Sequence, residues 1–412
     1  TLTISGSNSL DVKGNWTNNG TFVSNSSTVN FNGTVAQSIG GSSVTTFNNL
    51  TNAKTVFPLT ALTGISIKNI LNNLNNTSVL NMGVFALIDG GVFSNIGAGT
   101  ISTLNTSSLP LPAGKTWVNT IFYSNSVGGQ TIVAGTYNGG PSIELDNTSG
   151  TQTASGNIIT GGQLNINNGG TPILDMNGYN LTTNALNVIA PNSVLNMRGG
   201  ILTSSAVLSM DGTVRFSGPT NAKPFSSGTV EYNGTTQTVT NGNYYKLLFS
   251  GVGGVYTIAN DIDIANTLTV TNGALTVLSN RTVSVGDAIT VVNPGTFTLE
   301  NNASLLQTSY LGANSGDVIV KRNTTPVLRY DITYWSSPTT GPQTLSNFAP
   351  LTDSNRFNTY DSVNDVWIYE DPTTAVFQKG KGYSIRAPSN TSLTVPTIIP
   401  HQFVGVPNNG NI

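Results

Sequence analysis

Leu268-Thr269-Val270-Thr271-Asn272-Gly273-Ala274-Leu275-Thr276-Val277 is the stretch that decides the fold. Side chains alternate along extended backbone, so Leu268 and Val270 share one face of a short strand, as do Leu275 and Val277. The threonines take the other face. Asn272-Gly273 separates the two pairs, where a tight corner requires φ > 0. The same figure recurs upstream as Leu164/Ile166, Leu174/Met176, Leu186/Val188, Leu195/Met197, Leu208/Met210 and Val214/Phe216, spaced 6 to 13 residues apart, and downstream as Val283/Val285. Runs of Ala, Leu, Glu, Lys and Arg at a 3.6-residue period, which would signal helices, are nearly absent.

Longer phrases repeat as well. Thr28-Val29-Asn30-Phe31-Asn32-Gly33-Thr34 matches Thr229-Val230-Glu231-Tyr232-Asn233-Gly234-Thr235, and Gln37-Ser38-Ile39 follows the first as Gln237-Thr238-Val239 follows the second. Residues 212–218 form a third variant, and Ser78-Val79-Leu80-Asn81-Met82 recurs as Ser193-Val194-Leu195-Asn196-Met197. Irregular repeats of this kind mark stacked coils. Two or three strands per coil give a rung of about 20–30 residues, stacked about 4.8 Å apart with Asn and Thr aligned into side-chain ladders. Separate β-sandwich modules would give similar turn spacing. The absence of any module boundary or linker favours a β-solenoid (parallel β-helix) over residues 1–315, with about 12–15 rungs.

Composition excludes several functions. The 412 residues include 45 Gly and 53 Asn, no Cys, one His and only 34 charged side chains, 16 basic and 18 acidic. A nucleic-acid binder needs a basic footprint that this balance does not supply. Thiolate zinc sites and disulfides are excluded without Cys. No apolar run of about 18 residues exists to span a membrane as a helix. Net charge of −2 with 37% hydrophobic residues argues against disorder. The chain begins at Thr1 without a signal peptide and stops in mid-phrase at Ile412, which reads as a mature or clipped portion of a longer polypeptide.

The character changes near residue 316. Residues 317–386 hold 14 of the 34 charges, with a concentration of aromatics from Tyr330, Tyr334 and Trp335 to Phe377 and Tyr383. This predicts a small β-sandwich-like domain over 316–395, packed by ordinary hydrophobic burial. Residues 396–412, spaced by Pro396, Pro400 and Pro407, read as a connector toward a further domain.

Both parts resemble surface proteins of the Bacteroidota that use the type IX secretion pathway, large adhesins and gliding-associated β-helical repeat proteins among them. The coil phrases Gly14-Asn15-Trp16-Thr17-Asn18-Asn19-Gly20-Thr21-Phe22, Val29-Asn30-Phe31-Asn32-Gly33-Thr34 and Leu268-Thr269-Val270-Thr271-Asn272-Gly273 are similar to theirs. So are Tyr334-Trp335-Ser336-Ser337-Pro338, Trp367 and Gly380-Lys381-Gly382-Tyr383-Ser384-Ile385-Arg386-Ala387-Pro388 near the end. The resemblance implies an exported, extracellular or cell-surface protein that meets the secretion machinery during export, with a C-terminal sorting domain beyond Ile412. It also implies that Asp361-Ser362-Val363 fits a short pattern on which such bacteria add O-glycans, at Ser362. It carries over no catalytic residue.

Few residues suggest chemistry. Asp261 and Asp263 share one face of a strand and are weak candidates for holding Ca²⁺ or flanking a glycosidic bond, against a solvated outward face with Ile262 and Ile264 inward. His401 reads as a surface histidine of the connector. Lys321, Arg322 and Arg329 suggest a salt-bridged seam to Asp317 and Asp331. Thr267, Thr269 and Thr271 form a threonine row of the sort that orders water, although Thr suits any exposed strand face. Trp16, Trp117, Tyr244 and Tyr245 are candidates for stacking on sugar rings, against burial at corners or in the core. No cofactor is assigned. The expectation is a non-enzymatic adhesin or structural stalk or filament protein that contacts surface glycans or other cell-surface proteins through many weak contacts. A homopolymer formed through open strand ends is part of that expectation. The alternative is a carbohydrate-binding or polysaccharide-processing β-helix protein. Nucleic acid and membrane insertion are excluded from the partners.

Overall fold

The computed structural model describes residues 1–91, 93–166, 170–188, 190–218 and 224–410, with all of their side chains except that of Leu208. The chain is almost entirely β-structure, with 47% of residues in strands, 2% in helix and about 15 coil turns. It divides into two compact units, Thr1–Phe216 and Ser217–Ile412.

In the first unit every described strand pair is parallel, and each strand pairs with the strand about one coil later. Leu59 registers with Leu80, Leu80 with Ile101, Ile101 with Ile121, Ile121 with Ile143 and Ile143 with Leu164, each partner one coil further along the chain. All six are fully buried. The coil length that these registers define falls at the short end of the range expected from the sequence. Polar side chains form ladders of their own: Asn73 Oδ1 accepts from Asn52 Nδ2 at 2.8 Å, Asn165 Oδ1 from Asn187 Nδ2 at 2.7 Å, and Gln130 Oε1 from Gln152 Nε2 at 3.1 Å. These bonds give buried amide groups partners where water is excluded.

The second unit begins with coils built on the same principle. Tyr256, Leu275, Phe297 and Val318 stand in register on successive coils, all fully buried. Gly273 makes the expected corner at φ +75°, and a Cβ there would lie 2.5 Å from the carbonyl oxygen of Gly254. Every inward pair read from the sequence is buried on both members, apart from Leu208, whose side chain lies outside the described residues.

The repeated phrases fold alike. Gln37 Oε1 accepts from Gly33 N at 2.8 Å, and its amide donates to the carbonyls of Val12 and Gly14 on the preceding coil. Gln237 Oε1 accepts from Gly234 N at 2.7 Å, and its amide donates to Gly218 O. The one-residue difference in spacing between the two phrases is absorbed in the corner.

A second device recurs that no local sequence pattern discloses. Val133 N donates to the Tyr123 hydroxyl and Val133 O accepts from Tyr137, while Thr240 N donates to the Tyr232 hydroxyl and Thr240 O accepts from Tyr244. The two phenols meet at 3.5 Å in the first case and 3.0 Å in the second. Each pair fastens a bend over the coil interior with no charge involved. Burial pushes the Tyr123 phenol up to about 12, so it stays neutral.

The last coil strand, Val318–Asn323, takes Pro400–Pro407 as an antiparallel partner, from Val318 opposite Gly405 to Asn323 opposite Pro400. This covers a strand edge that would otherwise expose unpaired backbone groups. Residues 396–412, expected as a connector, therefore contribute a sheet strand. The prolines stand at the ends of that strand, at 400 and 407, where a missing N–H is tolerated. They conceal the alternation that buries Phe403. Four further strands form an antiparallel sheet in the order Ile332–Trp335, Tyr383–Arg386, Phe357–Asp361, Val366–Tyr369. One face of it closes on an aromatic core of Trp335, Phe348, Phe377 and Phe403, completing a β-sandwich-like region. The change of composition near residue 316 thus falls inside the second compact unit.

Candidate ligand-binding face

The sequence-derived candidates separate widely. Asp261 is exposed, and its Oδ1 accepts from Thr282 N at 2.9 Å on the next coil, so it serves as a rung-to-rung bond. Asp263 points outward between the buried Ile262 and Ile264. No group of three or more His, Cys, Asp or Glu side chains capable of holding a metal occurs among the described residues. Ser362 lies exposed in the turn joining Phe357–Asp361 to Val366–Tyr369. Thr267, Thr269 and Thr271 are half-buried rather than a free row, and Thr271 Oγ1 donates to Phe249 O.

Trp16, Trp117 and Tyr244 are core residues, buried because the coil pleat turns them inward, as the burial reading has it, and only Tyr245 of the four is exposed. Two expectations need correction. The basic cluster does not bridge to Asp317 and Asp331. Lys321 pairs with Glu300 at 2.7 Å, Arg322 donates to the carbonyls of Lys321 and Ala303, Arg329 donates to Thr391 O, and Asp331 accepts from its neighbour Leu328 N. His401 is half-buried rather than free at the surface. Its ring stacks on Phe348 at 4.6 Å and 17°, it meets Trp335 edge-on, and Nδ1 donates to Phe348 O at 3.0 Å. Burial holds its imidazole below the ordinary histidine value, with the bond to Phe348 opposing that shift.

The arrangement best suited to contact lies on the outer face of the four-stranded sheet. Tyr334 sits opposite Ser384, Ser384 opposite Asn358, and Asn358 opposite Tyr369, so these four form a row across the strands. Tyr360 opposite Trp367 forms an adjacent row. Alternation sends Trp335, Tyr383, Ile385 and Phe357 to the covered face. The outer rings remain open, with Tyr334 71%, Trp367 54%, Tyr369 53% and Tyr360 50% exposed. Trp367 stacks against Tyr334 at 6.3 Å and 19°, and meets Tyr360 tilted, at 5.2 Å and 53°. Composition alone counts these residues as packing. The signal that could have found them is the adjacency Tyr334-Trp335 in a strand, since neighbours must point to opposite faces.

A protein-family model described as a domain of unknown function (DUF8693) matches residues 254–412. The matched stretch takes in coil strands from Val255 onward together with the aromatic sheet. No curated protein and no solved structure matches the chain. No helix among the described residues is long and apolar enough to cross a membrane.

Proposed function

We propose that this chain is a non-enzymatic extracellular surface protein, in which stacked coils serve as a structural stalk and the C-terminal sheet makes adhesive contact. The observation that carries the reading is the row of open aromatic rings on the outer face of that sheet. Four large rings held in water on one face are costly unless something covers them, and exposed apolar patches mark interaction sites. The coil exterior mixes amides and hydroxyls with exposed aliphatic side chains such as Val56 and Val252, on a backbone whose hydrogen bonds run from turn to turn, which suits bearing and spacing. Export to the cell surface, passage through a secretion machinery, contact with surface glycans or cell-surface proteins, and end-to-end assembly into a filament all belong to this reading.

Beads coated with the intact chain and passed over surfaces bearing neutral polysaccharides, anionic polysaccharides or extracellular proteins test it. Retention should rise more steeply than coating density, because many weak contacts act together. Beads that adhere to none of these surfaces, or release of reducing sugars from any polysaccharide by the chain, would overturn it.

A further inference from the structure

We propose that the pocket lined by Tyr334, Tyr360, Trp367, Gly382, Tyr383 and Ser384 binds an uncharged glycan through the C–H faces of its sugar rings. This rests on the adhesive reading and names its ligand. The pocket is a shallow cavity of about 360 Å³. That lies at the small end of the range for small-ligand sites, about 300–1,000 Å³, and suits a short stretch of a chain rather than a protein domain.

The chemistry of the lining selects the class. Tyr334 and Trp367 lie within 19° of parallel and offer flat π-faces. These faces carry partial negative charge and attract polarised C–H groups, which a sugar ring presents on one side. Tyr334, Tyr369 and Asn358 put hydroxyls and an amide on the same face, suited to sugar hydroxyls at the rim. The rings are held before any ligand arrives. The Tyr360 hydroxyl donates to Asp365, and Asp361 caps the turn by accepting from Val363 N and Asn364 N. A pre-set platform loses little side-chain freedom on binding.

Charge selects within that class. The cations that flank the pocket are already engaged: Lys381 with Glu370 at 2.6 Å and over the Tyr383 ring, and Arg386 with Asp353 at 2.8 Å and over Tyr330. Asp361 and Asp365 place carboxylates at the turn beside Tyr360. A sulfated, uronic or phosphorylated ligand would meet carboxylates and committed cations, so the pocket favours a neutral polymer. A nucleic acid would stack equally well on these rings and is disfavoured for the same reason.

Gly382 supplies a clean test. A Cβ built there meets nothing within 4 Å, so a larger side chain at this lining position fits beside the pocket without disturbing the protein around it. The intact chain is run through native gels cast with mixed-linkage β-glucan, galactomannan or xyloglucan, and through gels cast with alginate or single-stranded RNA. The expected result is retardation by at least one neutral polymer and none by alginate or RNA. Gly382→Leu, Tyr334→Ala and Trp367→Ala should each weaken retardation about tenfold or more, as befits loss of an aromatic anchor or blocking of its pocket. Melting temperatures should be unchanged, and Tyr310→Ala, an equally exposed tyrosine (71%) outside this sheet, should bind as the parent does. Of the four tryptophans, Trp367 is the exposed one, so its protection from acrylamide quenching gives a second readout. No retardation by any neutral polymer, retardation indifferent to all three variants, or preference for alginate or RNA would overturn the inference. If glycan binding fails while coated beads still hold to protein surfaces, only this inference falls. If the gels retard the chain but beads adhere nowhere, the adhesive reading falls instead.

Discussion

Tyr123 and Tyr334 stand in strands of equal length, Thr120–Tyr123 and Ile332–Trp335, yet one is fully buried and the other 71% exposed. The strand of Tyr123 has parallel neighbours on both sides, from the coil before and the coil after, and its inner face looks into a closed interior. The strand of Tyr334 is an edge of an antiparallel sheet that has only one face covered. In the coils a tyrosine hydroxyl fastens backbone, and the ring fills space. In the sheet the ring has nothing to fill, so it remains available. The same residue type is thus structural where chain closure surrounds it and recognitional where the sheet is left open. Each experiment below tests whether that division is real.

The largest effect should come from the coil column. Ile121 lies in register with Ile101 and Ile143, all fully buried, and neighbouring turns cannot close over a lost side chain without breaking their own ladder bonds. Ile121→Ala should cost about 2–5 kcal/mol, read by chemical denaturation of the intact chain. A cost below that range would mean that the column is loosely packed. Next come the paired glutamines. Gln37→Ala and Gln237→Ala each remove the acceptor of a glycine N–H and a side-chain donor to a backbone carbonyl, and should each cost about 1–3 kcal/mol. Similar losses at the two sites would establish them as one device used twice. Unequal losses would show that the shared phrase conceals different surroundings.

How much of this is legible in the sequence follows from the range of the interactions. Inward pairs such as Leu275/Val277 are readable because period-2 alternation is a local property that the coil then satisfies. The match between Gln37 and Gln237 is readable because both the phrase and its corner lie within one short segment. Contacts between tyrosine pairs are not, since Tyr123 and Tyr137 are brought together only when the coil bends back on itself. The tail reads as a linker because Pro400 and Pro407 look like linker punctuation, while its strand pairing depends on Val318–Asn323, a segment far back in the chain. The aromatic face is hidden because composition counts rings without regard to which side of a sheet they occupy. For that same reason the sequence leaves contact and burial both open at Trp16, Trp117 and Tyr244, which the structure buries.

A smaller effect tests the covered side of the sheet through pH. His401 is the only histidine, so its titration can be isolated. Its pKa is lowered by burial among Phe348, Trp335 and their neighbours, and the polar partner of its ring is a backbone carbonyl rather than a carboxylate. The unfolded chain therefore takes up the proton first. Stability from this group is fully present above about pH 6.5 and declines as pH falls toward the folded value, since the unfolded state binds more protons in that window. His401→Phe keeps the stacking and removes the titration. The parent should lose stability relative to this variant as pH falls below about 6.5, with the two curves running parallel above about pH 7, where histidine is neutral in both states. Parallel curves throughout would mean that the ring is solvated despite its packing.

The smallest effect is the most telling for the comparison. If the outer rings are there for contact, removing one should hardly change folding. Tyr334→Ala deletes a ring that is 71% exposed and whose principal ring neighbour, Trp367, is itself half-exposed. Its cost should stay within about 0.5 kcal/mol, as for a surface substitution away from any buried network. A loss of several times that size would place Tyr334 among the residues that hold the sheet together, and the face would then be packing that happens to be wet. Tyr123→Ala should behave in the opposite way, because it opens a cavity and leaves Val133 N without its acceptor. The ratio of the two losses, measured by denaturation of the same intact chain under the same conditions, is therefore a direct reading of how far closure of the coil, rather than residue type, decides what a tyrosine does here.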